Sequence, residues 1–226
     1  MAKQNATETK TSIENLNDQL TGIEQKVENN KKIIVWASVI VAVVVIIVLG
    51  YIYGIRKPGI QSANDAIGQA DITLISGNDS LALAQYQQVA DEHGYDAGNR
   101  AKLNAAILLY RQGKYQEALD YLKGYSPKET IIGAAAKSLE GDCYVNLKQY
   151  PEALDCFRNA VKISDNNPHL TPYFLMKEAT VQRELKDYKA EADIYHTIID
   201  EYPEYAASQQ IDFEKYLSRA EAQMGK

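Results

Sequence analysis

GDCYVNLKQYPEALDCFRNAV, residues 141–161, is the stretch that decides how this chain folds. It reads as the end of one helix and the start of a second helix packed back against the first. Two antiparallel helices approach closely only where side chains are small, so Gly141 and Ala153 are expected to mark the contact between them. Tyr144, Tyr150, Phe157 and Ala160 would fill the wider gaps above and below. Pro168 is expected to stop the second helix.

The same pattern recurs on both sides. GKYQEALDYL at 113–122, KQYPEALDCF at 148–157 and KDYKAEADIY at 186–195 place Tyr115, Tyr150 and Tyr188 35 and 38 residues apart. A period near 34 residues, with small and aromatic residues at fixed places, resembles the tetratricopeptide repeat. In 99–132, Ala106 takes the Gly position, Gly113 makes the inter-helix turn and Ala118 is the second small site. In 172–205, Ala179 takes the Gly position and Pro203 the terminal Pro. Glu191 stands there where Ala is expected, and a one-residue shift onto Ala190 or Ala192 would restore the packing. A degenerate first repeat spans 63–96, with a break at Gly77-Asn78-Asp79 and with Ala82, Tyr86 and Val89 in its second helix. The third repeat is 134–168. Each pair leaves an apolar face uncovered, so neighbours must stack and the end must be capped. IDFEKYLSRAEAQM at 211–224, with Ile211, Tyr216, Leu217 and Ala220 at helical spacing, supplies that cap within 206–226.

Upstream, residues 33–55 read IIVWASVIVAVVVIIVLGYIYGI, without a charge. As a helix this run reaches ~34 Å, enough to cross a hydrocarbon core of ~30 Å. Its 15 Ile, Val and Leu residues favour insertion by about 5 to 9 kcal/mol. Trp36, Tyr51 and Tyr53 sit where an aromatic belt would lie. The run is too long and begins too late for a cleaved signal peptide. The chain therefore divides into a head at 1–32, a transmembrane helix at 33–55 and a repeat domain at 56–226. Lys26, Lys31 and Lys32 before the span, against Arg56 and Lys57 after it, favour a cytoplasmic N-terminus by a narrow margin. In the head, Ile13, Leu16, Leu20, Ile23 and Val27 form a short heptad seam. This 13–27 helix is either a docking or homo-oligomerising element or an unpartnered stub.

The fold class is all-α: one N-terminal transmembrane helix, then a tetratricopeptide-repeat solenoid of about four helix pairs and a capping helix. Residues 58–226 carry 25 acidic and 17 basic side chains, which argues against nucleic acid as a partner. Anchor and repeats together resemble bacterial membrane-anchored tetratricopeptide proteins of the YfgM-like family, in the version found in Bacteroidetes. The residues that carry this are the run at 33–55, LLYRQGKYQEALDYLKGYS at 108–126, the opening stretch at 141–161, LTPYFLMKEA at 170–179 and FEKYLSRAEA at 213–222. The resemblance implies an inner-membrane protein whose repeat domain faces the periplasm. There it would serve as an accessory of the Sec translocon and of periplasmic chaperones, handling exported clients. Glu191 and the poor first repeat depart from the pattern.

No catalytic constellation stands out. His93, His169 and His196 are far apart in the chain, and HExxH, GxSxG, phosphate-loop and CxxC motifs are absent from the sequence. Asp91-Glu92-His93 reads as a solvated helix end rather than a metal site, and no cofactor is implied. Cys143 and Cys156 fit a disulfide outside the cytoplasm or two small buried thiols, the commoner use. The expected activity is therefore non-enzymatic protein binding along the first helices of the repeats. The groove positions are Arg100, Leu103, Ile107, Tyr110 and Arg111; then Ala135, Ser138, Asp142, Val145 and Asn146; then Tyr173, Met176, Thr180, Arg183 and Glu184. Their mixture of apolar and scattered charged groups fits an extended segment better than a single charged terminus. The competing reading is a structural subunit that organises another envelope complex without binding clients.

Overall fold

The computed structural model describes Thr21 and residues 28–225; the heptad seam expected at 13–27 lies outside these residues. The chain separates into two compact units, one ending at Gly59 and one starting at Ile60. In the first, helix α1 (Lys31–Tyr51) runs into a π-helical turn at Ile52–Arg56. Its apolar side chains are exposed from Ile33 to Ile55. Among the described residues it opens the one helical stretch long and apolar enough to cross a membrane. Ser38, the one Ser, Thr, Asn or Gln between Ile33 and Ile55, returns its hydroxyl to the Ile34 carbonyl at 2.9 Å and so presents no free donor to the apolar surroundings.

The second unit is a row of helix pairs. They are α2 (Lys57–Ile75) with α3 (Asp79–Glu92), α4 (Asp96–Arg111) with α5 (Tyr115–Lys123), α6 (Thr130–Asn146) with α7 (Tyr150–Ser164), and α8 (Leu170–Glu184) with α9 (Tyr188–Glu201). Helices α10 (Pro203–Gln209) and α11 (Phe213–Met224) follow. No strand occurs among the described residues.

One turn joins all four pairs. The second residue after the first helix lies in the left-handed region each time: Gly77 (φ 85), Gly113 (φ 78), Lys148 (φ 59) and Lys186 (φ 62). The next amide then donates back across the helix end: Asn78 to Thr73, Lys114 to Leu109, Gln149 to Tyr144 and Asp187 to Gln182, at 3.3, 2.9, 2.8 and 2.9 Å. This closes the free carbonyls of the first helix and reverses the chain in three residues.

The small positions lie at the pair contacts. Ala70, Ala82, Ala106, Ala118, Ala153 and Ala179 are all fully buried. Gly141 is closed over by the Phe157 ring: a Cβ built on it would sit 2.6 Å from that ring. The aromatic, rather than Ala153, is therefore what requires glycine there. The fourth pair keeps its register. Glu191 itself occupies the small site, fully buried, so the shift onto Ala190 or Ala192 does not occur. It is accommodated because Arg219 of α11 donates to its Oε1 at 2.6 Å. Helix α7 ends before Pro168, at Ser164, where Asp165 turns left-handed (φ 48). Asn167 then accepts from the amides of His169 and Leu170, opening α8.

Helix α11 buries Phe213, Leu217 and Ala220 against α9. Tyr216, expected in that core, instead stacks at its edge on Tyr195, 5.7 Å between centroids. The core is a series of neighbouring clusters along the stack, as repeat-by-repeat packing requires.

Candidate protein-binding face

The first helices of successive pairs sit side by side, tied by polar contacts. Arg100 on α4 donates to Asp71 on α2 at 3.1 Å, and Arg111 lies 3.8 Å from Asp79 at the start of the second helix, α3. Tyr110 on α4 lies near Asn146 on α6, whose side-chain amide donates to the Asp142 carbonyl at 2.8 Å. Lys177 on α8 donates to both carboxylate oxygens of Asp142, at 2.6 and 2.5 Å. Its ammonium also lies 5.0 Å from the Tyr173 ring centre and 5.7 Å from that of Phe157.

This ion pair is the electrostatic centre of the face. Both partners are about four-fifths buried. Burial pushes the Asp142 carboxyl upward, and Lys177 opposes that shift. Burial would lower the Lys177 ammonium, but Asp142 outweighs it and holds the charge on above the usual lysine range. Tyr110 is raised by burial and then by Asp142.

The structure places the expected groove residues unevenly. Arg100 and Arg111 are exposed, each paired with an acid of the first repeat. Ile107 and Tyr173 are about two-fifths exposed. Leu103, Tyr110, Asp142, Val145, Met176 and Arg183 are half-buried; Ala135, Asn146, Thr180 and Glu184 are open. Thr180 spends its hydroxyl on the Met176 carbonyl, 3.0 Å away. Ser138 is the exception. It is buried within the packing and no partner can reach it.

Sequence reasoning passed over Lys177, which neutralises Asp142, and over the buried Glu178, which receives Arg158 at 2.8 Å. The signal for Lys177 was an opposite charge one repeat beyond Asp142. Among the described residues no three His, Cys, Asp or Glu side chains gather to hold a metal ion. Cys143 and Cys156 are free buried thiols, each pushed up to about 12, chiefly by burial. Their thiolates are scarce at neutral pH, which makes them poor nucleophiles.

Residues 76–128, 134–167 and 173–205 each match a family model described as a tetratricopeptide repeat. No curated protein sequence matches the chain significantly. Among solved structures, MamA is similar at 14% identity and a TM-score of 0.54, over 73% of this chain and 89% of that one. The kinesin light chain repeats of Podosopora anserina are similar at 16% identity and 0.54, over 72% and 86%. PilF of Pseudomonas aeruginosa is similar at 16% and 0.51, over 78% and 86%. Likenesses at these identities concern the fold.

Proposed function

From the premise that this chain is built on tetratricopeptide repeats, we propose that it is a non-enzymatic, membrane-anchored scaffold that binds other proteins along its row of first helices. The observation that carries the reading is the half-exposed strip across α4, α6 and α8. Leu103, Ile107, Tyr110, Tyr173 and Met176 offer apolar and aromatic surface there. The Asp142–Lys177 pair between them leaves no net charge. A neutral, amphipathic strip favours an extended segment with apolar side chains over an acidic or basic terminus.

The anchor is the run at 33–55, with the N-terminus cytoplasmic and the domain at 56–226 in the periplasm of a bacterial inner membrane. The resemblance to the YfgM-like family supports a place beside the Sec translocon and periplasmic chaperones, with exported proteins as clients. Self-association through 13–27 would bring two such strips together.

The test uses the full-length chain in lipid nanodiscs and a permanently unfolded, carboxymethylated protein as probe. Binding is expected, and the combined change Tyr173→Ala, Met176→Ala, Arg183→Ala should weaken it about tenfold while the helical circular dichroism is kept. Retained affinity in that variant would refute the strip. Orientation is read by a reporter, active only outside the cytoplasm, fused after Lys226; an inactive fusion turns the domain inward.

A further inference from the structure

Helix α5 is nine residues long, against 14 for α3, 15 for α7 and 14 for α9. Its last turn is missing because Gly124 ends it, and the chain runs on as an irregular segment to Thr130. Where the other second helices put a buried Val89, Ala160 or Ile198, this repeat puts Tyr125, which stays half-buried. The shortfall opens a cavity of about 310 Å³ beside α4, walled by Leu103, Asn104, Tyr125 and Ile132. Arg100 and Leu103, two residues of the proposed strip, are among its walls.

Three contacts hold the cavity open. Asn99 pins the segment by accepting from the Ser126 amide at 2.8 Å and donating to the Ser126 carbonyl at 2.6 Å. Lys102, which does not line the cavity, holds the Gly124 carbonyl at 3.0 Å. Lys128 is paired with Asp96. A preformed hollow of this size takes one large side chain without prior rearrangement.

Charge narrows the occupant. Two cations at the cavity, Arg100 and Lys128, are matched by Asp71 and Asp96. Glu129 remains on the rim, and among the described residues no cation pairs with it. Of the ionised side chains that line the cavity, Glu129 is the one without an oppositely charged partner. Glu129 also acts on Tyr125, whose hydroxyl is held above the usual tyrosine range by burial and then by this carboxylate. Ile132, about two-fifths exposed, adds apolar surface at the wall.

We infer that this cavity is an anchor pocket for a partner segment that inserts a bulky aromatic or aliphatic side chain and carries a Lys or Arg beside it, paired with Glu129. The inference rests on the protein-binding reading and adds a selectivity to it. A negatively charged rim with a greasy interior accepts apolar residues flanked by cations and turns away those flanked by acids.

The experiment uses the full-length chain in nanodiscs and fluorescent Gly/Ser decapeptides holding a single Phe between two Lys. Replacing Phe by Ala, or both Lys by Glu, should weaken binding about tenfold each. Leu103→Trp, which fills the cavity, should weaken the Phe–Lys peptide similarly. Because that variant is an insertion into packed surroundings, exposed Glu129→Lys serves as the second: it should lower affinity for the Lys-flanked peptide and raise it for the Glu-flanked one. Affinities indifferent to Glu129→Lys, or a native preference for the Glu-flanked peptide, overturn the pocket. If peptides and unfolded protein bind but respond only to changes at Tyr173 and Met176, the strip stands and the pocket falls. If neither probe binds at all, both readings fall.

Discussion

The third and fourth helix pairs solve the same packing problem in opposite ways. In the third, Gly141 clears room for Phe157 and Ala153 is the second small site, all inside apolar surroundings. In the fourth, Ala179 is small but Glu191 is buried to the last atom, with Arg219 reaching it from α11. The difference follows from what comes next along the stack. The third pair is covered by another repeat, whose α8 brings Val181 and Phe174. The fourth is covered by a terminal helix that supplies one arginine, and that arginine turns an intolerable charge into the attachment point of the cap.

The largest test of this contrast is Arg219→Ala. It leaves Glu191 buried without its cation and should cost about 3–5 kcal/mol, read as a lowered melting temperature and faster hydrogen exchange in α11. Adding Glu191→Ala should recover most of the loss; a double variant no more stable than the single one would show that the arginine acts through packing alone. Next comes Gly141→Ala. The new methyl would stand 2.6–2.9 Å from three carbons of the buried Phe157 ring, and overpacking of this kind costs about 1–3 kcal/mol. The matching Ala179→Gly should cost about 1–2 kcal/mol for a different reason, lost helix propensity and a lost buried methyl; a compensating Phe157→Leu should rescue Gly141→Ala but not Ala179→Gly, and rescue of neither would break the comparison. Smallest are the turns. Lys148 and Lys186 are exposed residues in the left-handed region that Gly77 and Gly113 occupy without strain. Lys148→Gly and Lys186→Gly should each stabilise by about 0.5–1 kcal/mol, the relief of left-handed strain less the added freedom of the unfolded chain. A loss of stability in thermal melts would mean that these lysines hold contacts beyond the turn.

The helix pairs were legible because their cues are local. Small residues at the contacts, tyrosines at second-helix starts and glycines at two turns can be read without knowing which helices meet. Glu191 could not be read correctly, because its partner lies 28 residues on, in a helix outside the repeat. Phe157 over Gly141, and Phe213 in place of Tyr216 under the cap, depend on rotamers and crossing angles that periodicity leaves open. On the binding face, spacing located exposed positions but also admitted the buried Ser138. It passed over Lys177 because that residue falls outside the groove positions, although its charge, one repeat beyond Asp142 and opposite to it, was there to be read. The cavity beside α4 arises from a helix that stops early, and Gly124 alone does not announce the hollow behind it.

The closed Asp142–Lys177 pair also bears on how fast a partner is captured. With each charge held by the other, the strip projects little field beyond a Debye length of roughly 8 Å. The pair itself therefore adds no steering, and any salt dependence of capture should come from the acidic surface around it, Glu129 included, not from Asp142 or Lys177. Discrimination between partners then resides in how long each one stays.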